Sequence, residues 1–412
     1  MRVVLSRRRP MMLKSRYVVP VDGPVIEDGA VVIREGRIAA VGRAANLHIT
    51  PVIDYGDAVI CPGFVNAHAH LELTHLAGKV PPSSDFVHGL KQLTGLLMTA
   101  PATPDNVAEA VCAGIAQSLS AGVTTIGDIT RRPAWSRESL AASPLRAVSF
   151  GEVIAMGRLR TQLNDRLEAA VSVEYQSDRL RVGISPHAPY TVEPDGLRAC
   201  AERARRMNAP LCIHLAETAE EATFTRSRSG RFKEFQQEMG IWDEGIPLAD
   251  CSPVELCQTT GVLGRRTVIA HGNYINDGDI KMIAESSSSV AYCPRTHHAF
   301  GHPPHRFREM LRAGINVCIG TDSLASNPSL SILDELRFLR QRHPDVAAHD
   351  LMVMVTIRGA AALGYGDEVG SLTVGKAADL VVIPLEAGAE WESMLESTQT
   401  PVAVYIDGVR KL

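Results

Sequence analysis

This chain of 412 residues has no CxxC pair, no apolar run of membrane-spanning length and no large excess of charge of either sign. Without such an apolar run there is no candidate transmembrane helix. The 42 basic and 46 acidic residues are interspersed and leave a net charge of −4. That balance makes no electrostatic case for nucleic acid or an anionic membrane as a partner. The eight cysteines are Cys61, Cys112, Cys200, Cys212, Cys251, Cys257, Cys293 and Cys318, several of them in apolar strand-like runs. They read as reduced core residues, not as disulfides or zinc ligands. Arg7-Arg8-Arg9 would open a twin-arginine signal only if an apolar stretch followed, and Pro10, Lys14 and Arg16 follow instead. A cytoplasmic protein is therefore expected. Regular patterning starts near Met12, so residues 1–11 are expected to be an exposed, dispensable extension or the product of a start codon assigned too early.

What is present is ample apolar material, 45% of residues, enough for a large core. Residues 12–62 carry short strands and turns: RYVVPV, GAVVIREGRIAAVG and AVICPG alternate β-branched residues with Gly, Asp and Pro. Residues 367–412 return to this style in GSLTVGKAADLVVIP and VAVYIDGVRKL. Two β-rich ends around an α/β middle predict one small β-sandwich domain assembled from both termini. Residues 63–366 alternate strands and helices. The strand candidates are Phe64–His70, Thr124–Asp128, Arg146–Glu152, Arg181–His187, Leu211–His214, Thr267–His271, Ser289–Cys293 and Asn316–Asp322. Helical stretches such as Asp105–Ser120, Asp195–Met207 and Ser331–Gln341 lie between them. The fold class expected is α/β, a distorted (β/α)₈ barrel. Polar residues fall at the C-terminal strand ends, where such barrels carry their chemistry: His70, Asp128, Glu152, His187, His214, His271, Arg295 and Asp322.

His68 and His70 share one face of a strand, because side chains at i and i+2 point the same way. With His214 and Asp322 they make three neutral imidazoles and a carboxylate, a set suited to one divalent transition metal with room for water. Glu217 lies three residues past His214, close enough to touch that water without ligating the metal, and can pass protons. His271 could be a ligand or a hydrogen-bonding partner of the attacked oxygen; Asp322 could bind metal and orient water. Glu220 and Glu221 read as surface loop residues. His187 and Glu152 are candidate substrate contacts, and Arg158, Arg160 and Arg295 could meet an anionic substrate group. His297, His298, His302 and His305 lack regular spacing on a strand and read as a loop lining the pocket.

PGFVNAHAHLE, SPHAPYT, IHLAET, IAHGN, GTDSLASN and GSLTVGKAADLVVI together resemble the amidohydrolase superfamily, in its cytosine/guanine/S-adenosylhomocysteine deaminase and chlorohydrolase branch. The resemblance spans nearly the whole chain. It implies metal binding by His68, His70, His214 and Asp322, Glu217 as proton shuttle and His271 as catalytic partner. The ends of the middle strands carry no strong lysine candidate of the kind that bridges two ions in binuclear relatives, which favours one ion, zinc by default with Fe²⁺ the alternative. Within the branch, HLAET followed by a Gly-Arg-Phe turn, GIW, SPVELC and CPRTHHAFGHPPH resembles aminodeoxyfutalosine deaminases, which act in the futalosine route to menaquinone. Two positions depart from the nucleoside deaminases: Thr296-His297 replaces Ser-Asn after the seventh strand, and Glu152 stands near the end of strand three where an arginine is usual. These departures argue against S-adenosylhomocysteine itself.

The chemistry implied is hydrolytic deamination of an amino-purine nucleoside-like small molecule, with 6-amino-6-deoxyfutalosine as one candidate. Another hydrolysis on the same site, of guanine, methylthioadenosine or S-adenosylhomocysteine, an amide, a formimino group or a triazine C–Cl bond, is the second reading. A non-enzymatic scaffold is disfavoured because every expected ligand is present. A homodimer is left open.

Overall fold

The computed structural model describes residues 9–81, 83–99 and 102–412. Most of the expected N-terminal extension, residues 1–8, lies outside them. Within the described residues no helix is long and apolar enough to cross a membrane.

One sheet takes its strands from both ends of the chain. These are β1 (Met11–Val18), β2 (Ile26–Arg34), β3 (Arg37–Arg43), β4 (Val52–Asp54) and β5 (Ala58–Pro62), then β14 (Leu380–Pro384), β15 (Ala403–Ile406) and β16 (Val409–Arg410). Their order is β16-β15-β14-β5-β1-β2-β3, with β4 on β1. Met11 already pairs with Ile33, so strand structure starts one residue before the expected onset. The two-residue alternation of these strands sorts their side chains by face. Ala58, Ile60, Leu380, Val382, Ala403 and Tyr405 build the sandwich's own core. Val59, Cys61, Val381, Ile383, Val404 and Ile406 join the main core of the barrel. The second of these faces thus binds the β-sandwich to the barrel, while the first closes the sandwich's own core.

The barrel strands are β6 (Phe64–Ala69), β7 (Val123–Thr130), β8 (Arg146–Val153), β9 (Leu180–Pro186), β10 (Leu211–Leu215), β11 (Thr267–His271), β12 (Ser289–Tyr292) and β13 (Asn316–Ile319). They pair in sequence order, all parallel. The last strand meets the first just past its end, where Ala69 bridges Asp322 in parallel. The amides of Thr321 and Asp322 both donate to the carbonyl of His68, at 3.1 and 3.0 Å. Gly320 makes this closure possible: a Cβ there would lie 2.8 Å from the Cβ of His68. This is the distorted (β/α)₈ barrel with a terminal β-sandwich expected from the sequence. At its other end, buried Arg146 opens β8 and bonds Asp379 through Nε at 3.0 Å and Asp407 through Nη2, tying the barrel to the C-terminal strands.

Candidate functional site

Barrel closure sets His68 and His70 against Asp322. Nε2 of each lies 3.6 Å from Oδ1 of Asp322. His214, at the end of β10, brings its Nε2 to 3.2 Å from that of His70. His214 Nδ1 sits 3.0 Å from the carbonyl of His187. The donor there must be Nδ1–H, so the Nε2 lone pair faces His70. A cation there would take a lone pair from each Nε2; without one, His70 must carry the proton that joins the two nitrogens. Neither ring nitrogen of buried His68 makes a hydrogen bond among the described residues. Asp322 Oδ2 accepts from Ser326 Oγ at 2.8 Å, which leaves Oδ1 for the histidines. Ligand-type atoms of His68, His70 and His214, and likewise of His68, His271 and Asp322, lie within 4.8 Å of one another. Burial drives all of these imidazoles toward the neutral form, with mutual repulsion adding to it; His214 falls to about 4. Neutral imidazole is the form that ligates metal. The donor set therefore fits one divalent ion.

His271 reaches the cluster by breaking the strand rule. Val268 and Ala270 face the barrel interior and Ile269 packs outward, so strict alternation would turn His271 away. Its backbone is instead left-handed, with φ 75°, and its ring centroid lies 5.5 Å from that of His214. Such a backbone is uncommon in a non-glycine residue, and Asp322 in the same cluster shares it, with φ 61°. Nε2 of His271 faces Glu217 Oε1 at 3.3 Å. Burial pushes the Glu217 carboxyl well above its ordinary range, and the nearby Asp322 and Glu221 carboxylates push it further.

A cavity of about 690 Å³ opens over this group. Phe86, Leu90, Leu93 and Leu97, one face of the helix Phe86–Thr99, form an apolar wall. Glu72, Arg131, Glu152 and His187 supply polar lining. His187 holds Thr191 Oγ1 at 2.7 Å through Nδ1 and points Nε2 at Glu152 Oε1, 3.9 Å away; burial takes its pKa down to about 3. Arg131 lies 3.6 Å from the other Glu152 oxygen.

Several expected placements differ. Neither Arg158 nor Arg295 is among the described residues lining the cavity. Arg158 is exposed, and Arg295 is engaged by Ser329 at 2.8 Å. Arg160 instead pairs with Glu193 at 3.0 Å. The cation at the cavity is Arg131, which gave no sequence signal because nothing distinguishes it from the neighbouring Arg132. The loop histidines are not among the described residues lining the cavity either. His305 stacks on Tyr292 at 3.8 Å and bonds the carbonyl of His271 at 2.9 Å, behind the site, while the loop itself lines the cavity, as expected, through Ala299 and Phe300. Glu221 is not a surface residue: it is fully buried and accepts from the amides of Ala216 and Glu217. Glu72, also unremarked in the sequence, is buried and accepts from Thr130 Oγ1 and the Arg131 amide, each at 2.9 Å.

Comparison with known proteins agrees with this architecture. The signature described as "Amidohydrolase family" matches residues 59–410. A Moorella thermoacetica protein named 5-methylthioadenosine/S-adenosylhomocysteine deaminase is 30% identical over 404 residues, covering 91% of this chain and 86% of the relative. Helicobacter pylori aminofutalosine deaminase, solved with methylthio-coformycin, superposes with TM-score 0.86 at 22% identity, over 98% of this chain and 100% of that one. An adenosine deaminase from Xanthomonas campestris with bound zinc superposes with TM-score 0.83 at 24% identity, over 98% and 92%. The chain belongs to the amidohydrolase family and is a hydrolase acting on carbon–nitrogen bonds.

Proposed function

We propose that this protein is a metal-dependent deaminase that converts a 6-amino-purine nucleoside to the 6-oxo product and ammonia. The observation that carries the reading is the pairing of a buried carboxyl, Glu217, with His271 at 3.3 Å beside the ligand cluster. His68, His70, His214 and Asp322 would hold one divalent ion, zinc by default and Fe²⁺ the alternative. Bound there, the ion supplies Lewis acidity and brings the pKa of water down toward about 7.

The remaining work falls to the chain's own residues. Glu217, kept protonated by burial, gives its proton to the ring nitrogen next to the amino-bearing carbon. That carbon becomes electrophilic and a C–O bond forms with water. The Glu217 carboxylate takes one proton from the water and delivers it to the amino group. His271 Nε2 and the Asp322 carboxylate hold the added oxygen while the C–N bond breaks and ammonia leaves. The last hydroxyl proton returns to Glu217 as the carbonyl forms, which restores the starting state. His187 and Glu152, with Arg131 behind Glu152, face the rest of the substrate. The division into a catalytic barrel (63–366) and a composite sandwich (12–62 with 367–412) belongs to the same proposal.

The Moorella relative's name supports 5′-methylthioadenosine as substrate, and the apolar wall of the helix Phe86–Thr99 suits a thioether substituent. The resemblance of the CPRTHHAFGHPPH segment favours 6-amino-6-deoxyfutalosine as the second candidate. The test is ammonia and chloride release by metal-replete protein from adenosine, both candidates, S-adenosylhomocysteine, guanine and a chlorotriazine. Ammonia from a nucleoside is expected. Chloride release with no ammonia from any nucleoside would replace this reading with the chlorohydrolase one.

A further inference from the structure

Glu217 hangs from an unusual turn. Ala216 just before it has a left-handed backbone, φ 52°. The turn's carbonyls are taken by the segment after His271: Gly272 N donates to Leu215 O at 3.0 Å, Tyr274 N to Ala216 O at 2.8 Å and Asn273 Nδ2 to Glu217 O at 3.1 Å. Its amides are taken by one side chain. Glu221 Oε1 accepts from Ala216 N and Oε2 from Glu217 N, both at 3.0 Å. Glu221 is wholly buried, at 0% exposure. Burial pushes the Glu221 pKa up to about 8 while the two amides pull it down; burying a carboxyl group is costly unless its oxygens are bonded, and here the partners are the amides that fix the turn.

We propose that Glu221 is a positioning residue for Glu217: its carboxylate clamps two consecutive amides of the turn and so fixes the Glu217 side chain at His271. The inference rests on the proposed role of Glu217 as proton carrier. A carboxylate suits this clamp because both oxygens accept. A glutamine keeps the shape but turns an NH₂ group toward one of the two amides, so one bond becomes a clash of donors. The effect should then fall on the proton-transfer geometry and not on substrate affinity. Misplacing a reacting group by about 1 Å can cost on the order of a hundredfold in rate.

The experiment is a double-mutant cycle of Glu221→Gln and Glu217→Gln in the full chain, with metal content, kcat and KM for the most active nucleoside, and amide hydrogen exchange over 214–221. Glu221→Gln should keep its metal and lose about ten- to a hundredfold in kcat, with KM changed less than about threefold. Exchange at 216–217 should speed up. In the Glu217→Gln background, adding Glu221→Gln should cost nothing further, because it acts through a group already removed. Independent, multiplicative losses would overturn the proposal, as would unchanged exchange. If Glu221→Gln does not accumulate folded, Glu221→Asp takes its place. Failure of both to give folded, metal-containing protein would also overturn it, because the contact would then serve folding and not turnover. Normal turnover by Glu217→Gln would sink the proton-carrier reading instead, and that outcome is read from a different corner of the cycle. If wild type deaminates no nucleoside, the exchange measurement alone decides the clamp.

Discussion

Asp322 and His68 lie at opposite ends of the barrel's strand order, yet the Asp322 amide donates to the His68 carbonyl at 3.0 Å and their side chains stand 3.6 Å apart. The seam that closes the barrel is thus also the floor of the ligand cluster. Two consequences can be measured together. Metal analysis should find about one divalent ion per chain, as expected for a single site of four ligands. His68→Ala and Asp322→Ala should each lower that content and abolish turnover. Full occupancy in both variants would remove these residues from the ligand set.

Glu152 faces the cavity with one oxygen toward Arg131 and the other toward His187. If it receives a donor group of the substrate, Glu152→Gln loses a charge-assisted hydrogen bond, worth about 1.5–3 kcal/mol. KM should rise roughly tenfold or more with metal content unchanged. An unaltered KM would place the substrate elsewhere in the cavity.

The junction between barrel and sandwich predicts a pH effect on stability. Burial pushes the Asp379 carboxyl up from 3.8 to about 6, with Arg146 pulling against it. A carboxyl whose pKa is higher folded than unfolded takes up a proton on folding. Its contribution to stability is fully present below pH 3.8 and is lost as pH rises through about 6. Denaturant melts of wild type and Asp379→Asn between pH 4 and 7 should therefore converge or cross. Over that window the difference should move against wild type by about 2 kcal/mol, at about 1.36 per pKa unit. A pH-independent difference would mean that Arg146 holds Asp379 ionised throughout.

Much of this arrangement was legible in the sequence because it follows from chain periodicity. The spacing of His68 and His70, and the apolar runs that precede His214 and Asp322, placed all four at one end of the barrel, although Val65 and Ala67 take the interior positions of β6, a register shift between Asn66 and Ala69 interrupts that strand at His68, and Asp322, like His271, has a left-handed backbone. Three features depend on contacts that periodicity does not encode. His271 turns inward only through a left-handed backbone, against the alternation of β11. Glu221 looked like one of several acidic residues in a loop; its burial comes from a turn held from the other side by the residues after His271. Arg158, Arg295 and the loop histidines had suitable chemistry, but their side chains are solvated or engaged by neighbours outside the cavity, and residue type says nothing of that.

The most direct test is the metal content and turnover of Glu217→Gln, measured on the same preparation. The substitution keeps size and polarity but cannot carry the proton, and Glu217 stands outside the proposed ligand set. The variant should bind as much metal as wild type and lose at least roughly a hundredfold in nucleoside deamination. Loss of metal would make Glu217 a ligand, and near-normal deamination by the metal-replete variant would show that the proton travels through Asp322 or His271 instead.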